Sequence, residues 1–379
     1  MANLFDYLFW RGDLKFTQSP LNLVDTVILC QIAYLPMDGI VPGPGENEAV
    51  SVSLAMNIFN KKLKNDPGFK SHLMYREDPE FISALESSNR FGDCRLFGYV
   101  NHIDPDREVQ FSAVCIHTGD DSSFIAFRGT DLTLVGWKED FNMSFKEIIP
   151  AQLEAVKYLE KMASMIKGPF CTAGHSKGGN LAIYSSAFCD KEIQNRITGI
   201  YSYDAPGFHE NVIKSESFNS VKERIRSFIP QSSVVGMLLE HGCDYSVIKS
   251  SQIGLLQHIL YSWEVTHNDM VYLDKVDTGS RFVDRTLKEW INNLDKEDRE
   301  QFFDSLYSIL TASDAKSFHK LEKTWFKGAG RMIKSLGNID EPTKAVIRKT
   351  LSELLNAARR NIDTLLKPED GEEKQKYLN

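Results

Sequence analysis

Apolar residues recur at helical spacing in two early stretches, residues 21–35 (LNLVDTVILCQIAYL) and 48–63 (EAVSVSLAMNIFNKKL), which predicts a helix in each. Between them stand Pro36, Gly39, Pro42, Gly43, Pro44 and Gly45, a density of chain breakers that neither a helix nor a central strand tolerates. The first hundred or so residues therefore read as helical and irregular. From about Val109 the pattern changes. EVQFSAVCIHT and SSFIAFRGT (122–130) are short apolar, β-branched and aromatic runs joined by Gly119-Asp120-Asp121, which predicts an antiparallel hairpin of buried strands. Helical spacing returns over residues 151–166, followed by a strand in PFCTAGH, a helix from Lys177 to about Phe188 and a strand over 197–204. Two more strand-like segments, 227–230 and 244–251, precede a helix-rich stretch from about Ser280 to Leu366. The end, KPEDGEEKQKYLN, is broken by proline and dense in charge, and reads as a disordered tail. No repeat occurs at solenoid periods.

Strand alternating with helix predicts βαβ units and an α/β fold with a mainly parallel central sheet flanked by helices. The expected organisation is an N-terminal helical and irregular elaboration packed on the core (1–105), the α/β core (106–280), a C-terminal helical region (281–366) and the tail (367–379). Within the C-terminal region, residues 345–366 place Val346, Leu351, Leu354, Leu355, Ala358 and Ile362 on one helical face. Such a stripe could touch a membrane surface, though docking on its own domain is the commoner arrangement.

Composition narrows the picture. Of 379 residues, 42% are hydrophobic and 25% charged, the balance of a globular protein, which excludes a mostly disordered or fibrous chain. Lys and Arg number 44 against 52 Asp and Glu, a net charge of −8, and no basic patch stands out, which argues against a phosphate-tracking nucleic-acid binder. The six cysteines show no CxxC or zinc-finger spacing, and Cys30, Cys115 and Cys171 lie in apolar runs, as buried thiols of a reducing compartment do. MANLFDYLFWRGD carries Asp6 and no basic region ahead of its apolar residues, so it does not read as a signal peptide, and no apolar run is long enough to cross a bilayer. The expected location is the cytoplasm.

The chemistry centres on Gly174-His175-Ser176-Lys177-Gly178, a G-x-S-x-G set directly after a predicted buried strand and directly before a predicted helix. The bare pattern arises by chance in about one chain in ten of this length; the strand and the helix around it do not. Small neighbours permit a sharp strand-to-helix turn that pushes the Ser176 hydroxyl out at the carboxyl edge of the sheet. The N–H of Lys177, at the positive end of the following helix, would point at an oxyanion formed on a carbonyl attacked by Ser176. A second donor is expected from the loop after an earlier strand, where Phe127-Arg128-Gly129-Thr130-Asp131 offers Thr130; a helix N-cap is a compatible reading of the same residues.

A nucleophilic serine needs a base and an acid, in the chain order Ser, acid, His. His209, His241, His258, His267 and His319 follow the serine, and His258 stands out by its apolar setting after the last strand-like segment, whereas His175 inside the elbow reads as packing. For the acid, Asp204 ends the strand after the nucleophile helix and so lies at the same edge as Ser176. A turn-capping role is its ordinary alternative, and Asp244, Glu240 and the pair Ser232-Ser233 remain as competitors.

At FRGTD (127–131), GHSKGGNLA (174–182) and YDAPGF (203–208) the sequence resembles a bacterial family of α/β-hydrolases related to the class 3 (fungal-type) lipases. The resemblance extends over most of the chain, including DYLFWRGDL near the start and IPQSSVVGMLLEH (229–241), whereas that to the lipases proper covers about 111–265. It implies an α/β-hydrolase fold, a Ser–His–acid triad acting on carboxylic esters, Thr130 and Lys177 at the oxyanion positions, and acylglycerols, phospholipids or smaller esters as substrates without a metal or organic cofactor. Two departures stand out. The stretch Ser227-Phe-Ile-Pro230-Gln-Ser-Ser lacks the carboxylate that lipases carry there, and Lys177 and Asn180 are more polar than the usual elbow residues. The missing carboxylate motivates a second reading, a non-catalytic binding or regulatory protein that keeps the fold; an acyltransferase or thioesterase would share the triad. Phe141, Met143, Phe145 and VVGMLL (234–239) could line an acyl groove, with core packing the more usual role for such residues.

Overall fold

The hairpin expected over residues 108–130 forms as β3 (Val109–His117) and β4 (Ser123–Phe127), paired antiparallel. Both strands are buried along nearly their whole length, so they show a continuous apolar run rather than alternation, as strands covered on both faces do. The computed structural model describes residues 1–120, 122–131, 134–143, 145–295, 297–302, 304 and 341–362. From β4 onward the chain adds β5 (Phe170–His175), β6 (Ile197–Tyr203), β7 (Ile225–Pro230) and β8 (Tyr245–Ile248), each parallel to the one before. This five-stranded parallel block is the centre of a nine-stranded sheet, and both flanks are antiparallel. On one side β3 pairs with β2 (Arg95–Asp104) and β2 with the two-residue β1 (Val50–Ser51). On the other, β8 pairs with Tyr272–Leu273.

Strand β2 belongs to the region the sequence pattern marks as helical and irregular. It is hidden there by a bulge: Gly98 has φ +62, the register shifts between Phe97 and Val100, and the period-two alternation is broken at its centre. A Cβ on Gly98 would lie 2.3 Å from the Met162 side chain, so this bend requires glycine twice over.

Alternate side chains of the central strands point to opposite faces and feed two separate cores. Val114, Ile116, Phe124, Ala126 and Ala173 join the first core, beneath α1 (Leu4–Arg11), α2 (Leu23–Ile32), α3 (Val52–Asn65) and α4 (Asp78–Ser87). Phe111, Ala113, Cys115, Ile125 and Phe127 join the second, with α6 (Pro150–Met165) and α7 (Lys177–Phe188); a shorter α5 (Leu134–Asn142) precedes these two. The N-terminal helices are thus one of the two layers that cover the sheet. Helix α2 is buried all round and starts from a capping box of Asn22 and Asp25. Fully buried Asp25 is held by Arg90, whose Nε and Nη2 donate to its two oxygens at 2.7 and 2.5 Å. The same guanidinium donates to the carbonyls of Leu14, Ser19 and Pro20 and lies over the Phe16 ring.

Asp78 is another buried acid of this layer. It accepts from the Tyr261 hydroxyl and the Tyr75 N–H, and burial pushes its carboxyl up from the ordinary 3.8 to about 6. The folded chain then holds this proton up to about pH 6 while the unfolded chain releases it near 4. Stability contributed by the protonated form is therefore lost as pH rises through that window, by up to about 3 kcal/mol. The melting temperature of Asp78→Asn relative to the native chain is expected to rise between pH 4.5 and pH 7.5, which thermal melts across that range would measure.

C-terminal helices α8 (Thr278–Asn293) and α9 (Glu341–Asn361) pack together through Trp290, Leu294 and Ala357, with Phe302 and Phe145 completing a small core. Of the apolar stripe expected on α9, Val346 and Leu354 face this core, whereas Leu351, Leu355 and Ile362 are exposed. The seam runs instead through Ile347, Thr350 and Ala357, a rotation about the helix axis that lets the Trp290 Nε1–H reach the Thr350 carbonyl at 2.9 Å. The expected tail, 367–379, lies outside the described residues. Among the described residues no helix is long and apolar enough to cross a membrane. All six cysteines are unpaired; Cys30, Cys94, Cys115 and Cys189 are buried, and Cys171 and Cys243 partly so.

Candidate active site

Because β4, β5, β6 and β7 are parallel, their carboxyl ends share one edge of the sheet, where α/β proteins place their ligands. Register sets the details: Phe127 lies opposite Gly174, His175 opposite Tyr203, and Tyr203 opposite Phe228. Ser176 follows β5 with φ +58 and ψ −136, a strained conformation for a residue with a side chain, and opens directly into α7. Its N–H donates to the Tyr203 carbonyl at 2.9 Å, and its own carbonyl accepts from Gly179 N–H at 2.9 Å. The glycines around it are needed for space. A Cβ on Gly178 would lie 2.1 Å from the Phe127 carbonyl oxygen, and one on Gly174 2.1 Å from the Gly178 backbone. The Ser176 side chain is left half-buried at the edge.

One residue past Tyr203, Asp204 is fully buried with φ +44. Its Oδ2 lies 2.6 Å from His258 Nδ1, and its Oδ1 accepts from the Ser233 hydroxyl at 2.5 Å and the Gly236 N–H at 3.0 Å. A carboxylate on Nδ1 assigns the proton of a neutral imidazole to that nitrogen and leaves Nε2 as the acceptor. His258 ends the 3-10 turn Gly254–His258 with its side chain 24% exposed, half open to the site. The competing residues are engaged elsewhere. Glu240 pairs with Lys288, and Asp244 is exposed. His209 bonds the Met143 carbonyl, His241 that of Gly236, and His267 is exposed, while His319 lies outside the described residues. The loop after β7 holds Asp204 through the Ser233 hydroxyl and the Gly236 N–H instead of supplying an acid of its own.

On the other side of Ser176 the loop 128–131 runs hard against the elbow: a Cβ on Gly129 would lie 2.6 Å from the His175 carbonyl oxygen and 2.9 Å from Ser176 Cβ. Thr130 is buried and its hydroxyl donates to Asp140 Oδ1 at 2.6 Å. Asp140, on α5, has its carboxyl pushed up to about 6 by burial, a shift partly offset by the Lys177 charge and the Thr130 hydrogen bond. Lys177 is buried along its whole length. Its Nζ donates to Glu139 Oε2 at 2.7 Å and to the carbonyl and Oε1 of Gln110 at 2.9 and 2.7 Å.

His175, read from the sequence as packing, is buried but also bonded at both ring nitrogens. Nε2 donates to the His258 carbonyl at 2.7 Å, so Nδ1 accepts from the Tyr34 hydroxyl at 2.8 Å, and that hydroxyl in turn accepts from Gly129 N–H at 3.2 Å. Burial first, and then the neighbouring His258, hold the His175 ring well below its ordinary titration range, which keeps it neutral. This line of bonds joins the loop of Thr130, the elbow and the turn of His258. Tyr34, Glu139 and Asp140 escaped sequence reasoning, since each meets its partner from a distant element, and Ser233, named from the sequence among the competitors of Asp204, donates to it instead. The only trace of the pair on α5 is the adjacency of two acids in a short amphipathic stretch. Of the residues proposed for an acyl groove, Met143, Phe145 and Met237 are buried in cores, and the Phe141 side chain lies outside the described residues. Among the described residues no group of three or more His, Cys, Asp or Glu could hold a metal ion.

The parallel block, the strained serine between β5 and α7, and the histidine–carboxylate pair at the same edge define an α/β-hydrolase fold of lipase-like class. The chain belongs to the Mbeg1-like family, whose model matches residues 85–308. No curated protein matches it. Among solved structures, the M37 lipase is 14% identical with a TM-score of 0.34, covering 56% of this chain and 69% of that one. The native Rhizomucor miehei lipase propeptide complex is 11% identical with a TM-score of 0.34, covering 61% of this chain and 83% of that one.

Proposed function

We propose that the protein is a serine hydrolase of carboxylic esters in which Ser176 is the nucleophile, His258 the general base and Asp204 the acid of the triad. The observation that carries this reading is the 2.6 Å contact between His258 Nδ1 and a fully buried Asp204, which follows the strand paired with that of a serine held in a strained elbow. The Ser176 oxygen attacks the ester carbonyl while His258 Nε2 takes its proton. The imidazolium then returns that proton to the leaving alcohol as the carbon–oxygen bond breaks, and water releases the acyl group by the same steps in reverse order. The N–H groups of Lys177 and Thr130 receive the oxyanion, each worth about 3 kcal/mol in the transition state. These steps call on no metal or organic cofactor.

Lipid-like esters are the substrate class favoured by the surface beside the base. Ile253, Leu255 and Leu256 are 80%, 68% and 53% exposed within five residues of His258, an apolar patch where an acyl chain would approach. The test is labelling of the purified protein with an active-site fluorophosphonate, with Ser176→Ala as control and p-nitrophenyl esters of rising chain length alongside. Labelling and turnover that disappear in Ser176→Ala are expected, with longer chains preferred. A well-folded protein that neither labels nor turns over any ester overturns the reading in favour of a binding protein.

A further inference from the structure

Lys177 adjoins the nucleophile, yet its side chain points away from the site into the protein, where a charge is costly unless it is paired. Its partner is Glu139, equally buried, on α5. Glu139 is itself anchored by two backbone donors, Gln110 N–H of β3 at 3.1 Å and Ala151 N–H of α6 at 2.9 Å. The next residue along α5 is Asp140, which holds the Thr130 hydroxyl. A continuous line therefore runs from Lys177 through Glu139 and Asp140 to Thr130. Its two ends are the two residues whose N–H groups form the oxyanion site in the function proposed above.

We propose that the buried Lys177–Glu139 ion pair is a positioning device that sets the distance between the two oxyanion donors, fixing α5, and with it Thr130, relative to the start of α7. The inference rests on the serine hydrolase reading. The lysine acts through its side chain as a tie and through its backbone N–H as a donor, two tasks at one position. Acyl transfer needs both donors near 3 Å from the developing charge, and a displacement of about 1 Å costs on the order of 10²-fold in rate. Glu139 touches no reacting atom; its effect reaches the chemistry only through where Thr130 sits.

The test compares the native protein with Glu139→Gln and with Lys177→Met/Glu139→Gln, the double variant removing both members of the ion pair together. Each is checked for a cooperative thermal melt and then measured for kcat and KM on p-nitrophenyl butyrate and for its rate of fluorophosphonate labelling. Expected is a fall of about 10- to 100-fold in both kcat and labelling rate in the double variant, a smaller fall in Glu139→Gln, and KM unchanged within about twofold. Thr130→Val combined with the double variant should lose less than the product of the separate losses, because both release the same donor. Native-like kcat and labelling in the folded variants would overturn the positioning role while leaving the hydrolase reading in place. Should the double variant not fold, Glu139→Gln alone decides: a lowered melting temperature with an unchanged labelling rate assigns the pair to stability and overturns the proposal. A native protein that does not label at Ser176 removes the hydrolase reading and this inference together.

Discussion

Alanine at Ser176, at His258 and at both together is expected to lower kcat on an ester by the same factor, on the order of 10⁵ to 10⁶. The equality matters more than the size. A serine hydroxyl without a base is a poor nucleophile, and a base without the serine has no proton to move, so removing either abolishes one shared step. Losses that multiply would mean that the two act separately. Asp204→Asn should cost about 10⁴, because an amide facing Nδ1 favours the wrong imidazole tautomer. Here the effect has a second source: Oδ1 accepts from both Ser233 and Gly236, and an amide flipped to suit the imidazole would turn an N–H₂ toward those two donors. Steady-state kinetics of the four variants, each with its melting temperature, would separate chemistry from folding.

Arg90→Met is expected to be the most damaging single change to stability, by about 3 to 5 kcal/mol. The substitution leaves the Asp25 carboxylate buried without a counter-charge, held by the Tyr7 hydroxyl at 2.8 Å and the Asn22 N–H at 2.9 Å, and it strips three backbone carbonyls of their donor. Against a typical net stability of about 5 to 15 kcal/mol this is enough to unfold much of the chain at 37 °C. The contrast within the molecule is Lys15 with Asp93, an ion pair 2.7 Å long but 55% and 68% exposed, whose removal should change little. Urea unfolding of the two variants would show the difference, and Asp25→Asn/Arg90→Met should recover the part due to the uncompensated charge.

What could be read from the sequence was local. The elbow announces itself because a buried strand, three glycines and a helix are contiguous, and Asp204 because it terminates a strand whose neighbour carries the serine. The breaker-rich stretch after Tyr34 is free of helix and strand, as its prolines and glycines dictate. Strand β2 escaped because one bulge at Gly98 erases the alternation on which a strand is recognised. On α9 the expected stripe holds at Val346 and Leu354 but not at Leu351 and Leu355, which satisfy the helical period as well as Ile347 and Ala357 do and yet face outward. Tyr34 lies 141 residues from His175 and Glu139 lies 38 from Lys177; no periodicity encodes partnerships of that range.

The family match begins at residue 85, beyond α1, α2 and α3 and within α4. Yet those helices are the cover of one face of the sheet, and a chain trimmed to the matched segment would present Val114, Ile116, Phe124, Ala126 and Ala173 to water. It would also lose Tyr34, and with it the hydroxyl that joins Gly129 to His175. The point at which kinship becomes detectable is thus a poor guide to where the polypeptide can be cut: the minimal soluble unit must retain the leading helices, and an expression boundary drawn at the match would yield a sticky half-sandwich instead of a domain.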